Sequence, residues 1–429
     1  MSSGRLDRRD DNREVAGRAG REEKVLVPES EIDRIVDIIN CQGSVEELTD
    51  KYFTHSRRVA ERHGDKTVTY AVFMRRRIVA ALAVAIRYVE RLVPEAKVTR
   101  RYEDGEGVPA ERVLFTIEGP YSKLSEIETL VLQKVGIPSV AAFNAYSMCR
   151  SLPGAAFMDM HARHASGAEM NLLAAYGAAV GSHAARAEND GVKGFVGSSQ
   201  DLTAPLFGRE KGIGTMPHAL IGYAGGDLVE ALKMFVATAP EVQNVVALVD
   251  YQGREISDSL RAARWFYEEA RLQDRGKRFG VRLDTHGGRF TEGLDYHRSV
   301  ETVGSWLGVE GEYNIAEHVL GTRAFSLDSG NVLIDRTRRY LFGQGVSAAS
   351  VIHTRRALDN AGYRDVQIVA SSGFGVEKCL VMGAARAPVD LVGTGSFLPS
   401  TLSETYTTAD IVQYDNERRV KVGREFLFG

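Results

Sequence analysis

From Phe157 to Pro399 the chain runs repeatedly from a short apolar strand into a turn of small and polar residues, and this period constrains the fold more than any other feature. Eight strand candidates follow one another, at Ala155–Met160, Gly194–Ser198, Ile213–Met216, Val245–Asp250, Gly280–Asp284, Ala324–Asp328, Val366–Ala370 and Leu391–Gly393. Most are separated by stretches of helical period such as Gly167–Gly181, Ser257–Arg271 and Ala348–Ala361. Roughly 240 residues for eight strands and their helices is the length of a TIM-like β/α barrel, regular or distorted, so the fold class expected is α/β. The last two turns, Ser371-Ser-Gly-Phe-Gly375 and Gly393-Thr-Gly-Ser396, are rich in glycine. Paired turns of this kind at the ends of the final barrel strands form phosphate sites, and a phosphorylated substrate is expected.

A chain of 429 residues, 44% hydrophobic, can bury such a barrel over residues 152–400 and a smaller domain besides. Residues 1–24 are charged and almost without large apolar side chains, and they read as a flexible tail. Residues 25–151 read as an α+β domain, with strands at Val68–Phe73 and Arg112–Ile117 and helices at Arg77–Leu92 and Tyr121–Val135. In the tail, residues 401–429, Ala409–Tyr414 and Arg419–Arg424 read as strands that return to the N-terminal domain.

Fifty-four basic residues against 57 acidic ones argue against a general grip on nucleic acid and favour a small-molecule enzyme. No apolar run approaches the about 18 residues of a membrane helix, and no signal-peptide core opens the chain, so no membrane partner and a cytoplasmic location are expected. The three cysteines, Cys41, Cys149 and Cys379, are odd in number and widely spaced, which encodes neither a disulfide framework nor a zinc knuckle; buried thiols are expected.

Alternation puts Arg282 and Asp284, at the end of the fifth strand candidate, on one face of the sheet. Such a pair either holds a sugar and an anion between them or closes on itself as an ion pair. His218, after Gly212-Ile-Gly-Thr-Met-Pro, follows the third strand candidate and points to the same rim as a base, a metal ligand, a nucleophile or a side chain hydrogen-bonded in place. Asp159-Met-His161-Ala-Arg163-His164 has the composition of a metal cluster but not the spacing of one, and no direct protein ligation of a metal is expected.

Taken in order, Thr49-Asp50-Lys-Tyr52, Glu118-Gly-Pro with Glu128-Thr-Leu, Asp159-Met-His-Ala-Arg163, Gly197-Ser-Ser199, Gly214-Thr-Met-Pro-His218, Val281-Arg-Leu-Asp284-Thr285, Val369-Ala-Ser-Ser-Gly373 and Gly393-Thr-Gly395 resemble the motifs of nicotinate phosphoribosyltransferases. The resemblance runs from Thr49 to Lys421-Val-Gly-Arg424. It implies a type II phosphoribosyltransferase that joins nicotinate to phosphoribosyl pyrophosphate with Mg²⁺, coupled to ATP hydrolysis, in a homodimer whose sites are completed by the neighbouring subunit.

By the same resemblance Asp284 holds the ribose hydroxyls, and Arg282 lies near nicotinate and the phosphates. Gly373, Gly375, Gly393, Thr394 and Gly395 cradle the 5′-phosphate. His218 is the residue that ATP phosphorylates, with Asp250 orienting it. Tyr52 stacks on the pyridine ring in the neighbour's site, while Met160, Arg163, Ser198, Ser199 and Thr285 complete the substrate pocket. One departure stands out: Met160 and His161 occupy the place where many members carry a Phe-Gly pair before the arginine.

Three rivals differ by particular residues. Nicotinamide phosphoribosyltransferases carry an aspartate where Ser199 falls; an aspartate repels a carboxylate, whereas a serine can donate to it. Quinolinate phosphoribosyltransferase is shorter, needs more cations for two carboxylates and lacks the His218 motif. A non-catalytic nucleotide-binding relative is expected to lose Asp284, His218 or the glycine turns, and all are present.

Overall fold

The computed structural model describes residues 26–321, 330–402 and 407–428. The N-terminal tail expected at residues 1–24 and the strand expected at Ala324–Asp328 lie outside the described residues. The first helices are α1 (Glu29–Asn40), α2 (Val45–Leu48) and α3 (Lys51–His63). They precede an antiparallel sheet built from β1 (Thr67–Met74), β3 (Lys97–Arg100) and β5 (Val113–Pro120), with β2 (Ile78–Val79), α4 (Ala83–Leu92) and β4 (Gly107–Val108) between them. The helix expected from Arg77 therefore starts six residues later, because Ile78 and Val79 pair with Val108 and Gly107.

Helix α5 (Tyr121–Ser151) runs 31 residues, well past the end expected at Val135. Pro138 lies inside it and removes one backbone donor. Tertiary packing outweighs that local cost, since 19 of its residues are buried. Its main partner is α6 (Ala168–Glu188). A Cβ on Gly177 would stand 2.2 Å from the Pro138 carbonyl oxygen, and one on Gly181 2.0 Å from that of Ala142. The two glycines thus let the helix backbones touch, and together the helices supply side chains to both large apolar clusters.

The second sheet is parallel: β6 (Ala156–Asp159), β7 (Gly194–Ser198), β8 (Asn244–Leu248), β9 (Arg278–Leu283), β10 (Gln367–Ala370) and β11 (Leu391–Thr394), in the order β7-β6-β11-β10-β9-β8. Around it pack α7 (His218–Tyr223), α8 (Leu228–Thr238), α9 (Glu255–Arg264), α10 (Tyr296–Leu307), α11 (Glu312–Gly321), α12 (Gly330–Phe342), α13 (Ala348–Asn360) and α14 (Val376–Ala384). Six of the eight expected barrel strands are present. Ile213–Met216 is not one of them: between Gly212 and Pro217 it forms a loop, tied to β7 by the Ile213 amide donating to the Ser198 carbonyl at 2.7 Å. Proline cannot donate to a ladder, and glycines weaken a strand. The sheet accordingly has β7 and β8 as its edges among the described residues. The helix expected over Ser257–Arg271 ends as α9 at Arg264 and passes through a π-turn at Trp265–Glu269.

After β11 the chain returns to the first sheet, where β12 (Thr407–Tyr414) lies antiparallel to β1 from Val68↔Tyr414 to Met74↔Thr407. The second returning strand is only β13 (Glu417–Arg418), paired with the end of β12; residues 419–424, expected to be extended, form a loop and turn. Cys149 and Cys379 are buried as expected, but Cys41 is exposed, just beyond α1. Among the described residues no helix is long and apolar enough to cross a membrane.

Candidate functional site

In a parallel sheet all the C-terminal strand ends share one rim, the usual place for a ligand in α/β folds. The strand order lines up Ser198, Asp159–Met160, Thr394–Gly395, Ser371–Gly373, Arg282–Asp284 and Asp250 along that rim.

Its centre is a hydrogen-bonded cluster. The Arg282 guanidinium donates to the Ser371 hydroxyl at 3.0 Å, to the Thr215 hydroxyl at 3.1 Å and to Asp284 at 2.9 Å. Ser371 in turn donates to the other Asp284 oxygen at 2.9 Å. Both charged side chains are largely buried, at 13% and 19% exposed, where such a pair has one well-defined geometry. The loop read as a third strand thus has a role here: it carries Thr215 across the strand ends to Arg282, and His218 behind it.

His218 opens α7, and its Nε2 lies 2.9 Å from an Asp250 oxygen, with the imidazole still 43% exposed. Burial raises the proton affinity of Asp250; the bond to His218 opposes this, and the charge on Asp284 adds to it. The Arg289 guanidinium, bound to the Asp250 carbonyl at 3.0 Å and paired with buried Glu255, holds that strand end from below. A nucleophilic imidazole needs one nitrogen fixed by a carboxylate and the other free; Asp250 holds Nε2, and Nδ1 has no hydrogen-bond partner among the described residues.

On the other side of the rim the polar residues are tied to one another. Asp159, buried, accepts from the His161 amide at 2.8 Å and the Ser198 hydroxyl at 3.1 Å, and burial pushes its carboxyl up to about 6. Ser198 also lies 2.6 Å from the Thr203 hydroxyl, so its oxygen is occupied inside the fold. Ser199 is exposed one residue further on, anchored by its amide to the Asp159 carbonyl at 2.8 Å. Met160 packs on the glycine turn: a Cβ on Gly393 would stand 2.8 Å from its sulfur, and one on Gly395 2.5 Å from its carbonyl oxygen. Arg163 is exposed beside His164.

Thr394 is buried and donates to the Phe374 carbonyl at 3.2 Å, joining the two glycine turns. Gly373 has φ +68° and open space where a side chain would be, whereas Gly375 is filled by the Phe397 ring. Thr285 is fully buried and donates to Glu255 at 2.9 Å. Tyr52 stands apart. It is 61% exposed on α3, and its hydroxyl donates to Asp50 at 3.1 Å within the N-terminal domain. Two polar residues are not singled out by the sequence pattern: Thr215, inside a segment whose period predicts a strand, reaches Arg282, and Lys378, whose place early in a helix predicts a solvated side chain, is buried.

Comparison with known proteins adds the following. Residues 50–139 match the family model for the N-terminal domain of quinolinate phosphoribosyl transferase. No curated protein matches the chain in sequence. Among solved structures, nicotinate-nucleotide pyrophosphorylase from Pyrococcus furiosus superposes with a TM-score of 0.58 at 22% identity, over 94% of this chain and 81% of that one. Human nicotinic acid phosphoribosyltransferase superposes with a TM-score of 0.53 at 16% identity, over 86% and 75%. NadC from Streptococcus pyogenes does so with a TM-score of 0.50 at 13% identity, over 90% and 95%. The chain shares the fold of these proteins.

Proposed function

We propose that the chain is a phosphoribosyltransferase of NAD biosynthesis that joins nicotinate to phosphoribosyl pyrophosphate, releasing nicotinate mononucleotide and pyrophosphate, with transfer coupled to ATP hydrolysis. The observation that carries this reading is the His218–Asp250 pair on the same rim as the Arg282–Asp284–Ser371 cluster and the glycine turns. In the reaction the pyridine nitrogen bonds to the anomeric carbon as the bond to pyrophosphate breaks. Positive charge gathers on the ribose and negative charge on the leaving group. Asp284, its carboxylate fixed by Arg282 and Ser371, would take the ribose hydroxyls and face the developing positive charge. Arg282 would neutralise the anionic side, and the Ser371–Gly375 and Gly393–Gly395 turns would hold the 5′-phosphate.

Magnesium would be carried by the pyrophosphate and ATP phosphates rather than by direct protein ligation, and the carboxylates of Asp250 and Asp284 on the same rim suit such an ion, which usually keeps most of its other ligands as water. Bound there, Mg²⁺ would supply charge neutralisation for the departing pyrophosphate. ATP would act as co-substrate by phosphorylating His218. Tyr52, exposed and remote in chain position from the rim, would serve the site of a second copy in a homodimer.

A second reading takes quinolinate as the base, and the match of residues 50–139 to the quinolinate enzyme's N-terminal domain favours it. That chemistry has no use for a phosphorylated histidine, so His218 separates the two. With labelled ATP, wild-type protein is expected to take up acid-labile, base-stable phosphate at His218. His218→Ala is expected to lose both the label and the ATP stimulation while keeping some ATP-independent transfer. Wild-type protein that turns over with ATP yet never acquires the label would overturn the coupling.

A further inference from the structure

Lys378 is the third residue of α14 and is only 5% exposed, with no carboxylate within ion-pair distance among the described residues. Its ammonium donates to the Ser372 carbonyl at 2.7 Å and sits 4.4 Å from the centre of the Phe374 ring. Ser372 has φ +76°, a left-handed conformation that a non-glycine residue adopts at a cost, and Gly373 follows at φ +68°. The turn between β10 and α14 is thus strained at Ser372 and fastened from inside at three points: Ser372 by Lys378, Phe374 by the Thr394 hydroxyl, and Gly375 by the Phe397 ring. Its outer side at Gly373 faces open space.

A buried ammonium without a counterion is expensive, and an apolar side chain of similar volume would cost the fold less. The charged and titratable neighbours that act on it are Asp284 beyond β9, Arg339 on α12 and Cys379 on α14 itself. Desolvation dominates among these influences and pulls the amine down to about 8. Burial of this ammonium therefore costs the fold stability rather than adding to it. We propose that Lys378 is a positioning residue for the sugar-phosphate substrate: by holding the Ser372 carbonyl inward it keeps Ser372 and Gly373 left-handed and leaves the outer backbone of the turn open to the phosphate. This inference rests on the phosphoribosyl reading of the site given above.

The test is calorimetric titration of the purified protein with phosphoribosyl pyrophosphate and Mg²⁺, with thermal melting of the unliganded protein alongside. Lys378→Met is expected to bind about tenfold more weakly, the loss corresponding to the loop strain it leaves unsupported, while the unliganded protein melts no earlier than wild type. Adding Ser372→Gly, which makes the left-handed turn inexpensive, is expected to bring binding back to within about threefold of wild type. Should the methionine variant not fold, Lys378→Gln keeps a donor without the charge and is expected to bind about threefold more weakly, again rescued by Ser372→Gly. Wild-type affinity in the Lys378 variants overturns the inference. So does a double variant as weak as the single one, because Lys378 would then touch the ligand itself. Absence of binding by wild-type protein overturns the phosphoribosyl reading, and this inference with it.

Discussion

Asp284 shows how far spacing alone could reach. Its place two residues from Arg282 put both on one sheet face, and the structure closes them into a pair at 2.9 Å, with Ser371 holding the second carboxylate oxygen. The third partner of Arg282, Thr215, comes from a segment far away in sequence and could not be read. Lys378 was hidden for a related reason: a lysine early in a helix looks solvated, and only the packing of Phe374 and α14 buries it. Ser199 is exposed at a strand end, and the resemblance to nicotinate phosphoribosyltransferases sets it against the nicotinate carboxylate. Ser199→Asp is therefore expected to lower catalytic efficiency with nicotinate at least about tenfold through like-charge repulsion; steady-state rates check it, and an unchanged value would put Ser199 outside the pocket. In the other domain, burial pushes Glu128 up to about 7. Its neutral form is thus favoured in the fold, so stability falls as pH rises from the unfolded carboxyl value near 4.5 to about 7 and stays lower above that. Glu128→Gln should then match wild type at pH about 4 and be more stable by about 1 kcal/mol or more at pH about 8, read from urea unfolding at both values.

At the scale of elements, apolar runs ending in small polar turns located every parallel strand found among the described residues. The same rule over-read Ile213–Met216, where Gly212, Gly214 and Pro217 deny the backbone a ladder. It also stopped α5 at Val135, because Pro138 is a local break signal and the burial that carries the helix to Ser151 is not local. The glycine pair in α6 gave no sign of its purpose in sequence, yet it sets the distance between α5 and α6, the two longest of the described helices. Gly181→Ala places a methyl 2.0 Å from the Ala142 carbonyl oxygen, so the helices must part. A loss of about 2 kcal/mol or more is expected, seen as a lower urea midpoint with an unchanged slope.

For the whole molecule, the return of β12 to β1 ties the end of the chain to the first sheet, while the rim is built by the second. Tyr52, exposed on α3, belongs to the first half and has its hydroxyl partner there. In a homodimer with shared sites, mixing Tyr52→Ala chains with Asp284→Ala chains should restore about a quarter of the activity, since half of the randomly paired dimers are mixed and each holds one intact site. Subunit exchange without recovery would place Tyr52 outside the neighbour's site. The measurement closest to the proposed function is a competition: purified protein with phosphoribosyl pyrophosphate, Mg²⁺ and ATP, offered nicotinate, nicotinamide and quinolinate at equal concentration, and the nucleotide products identified by mass spectrometry. Nicotinate mononucleotide that carries the pyridine ring of labelled nicotinate should dominate, and its formation should slow when ATP is withheld. Product drawn mainly from quinolinate with release of carbon dioxide, product drawn mainly from nicotinamide, or no nucleotide at all would contradict it.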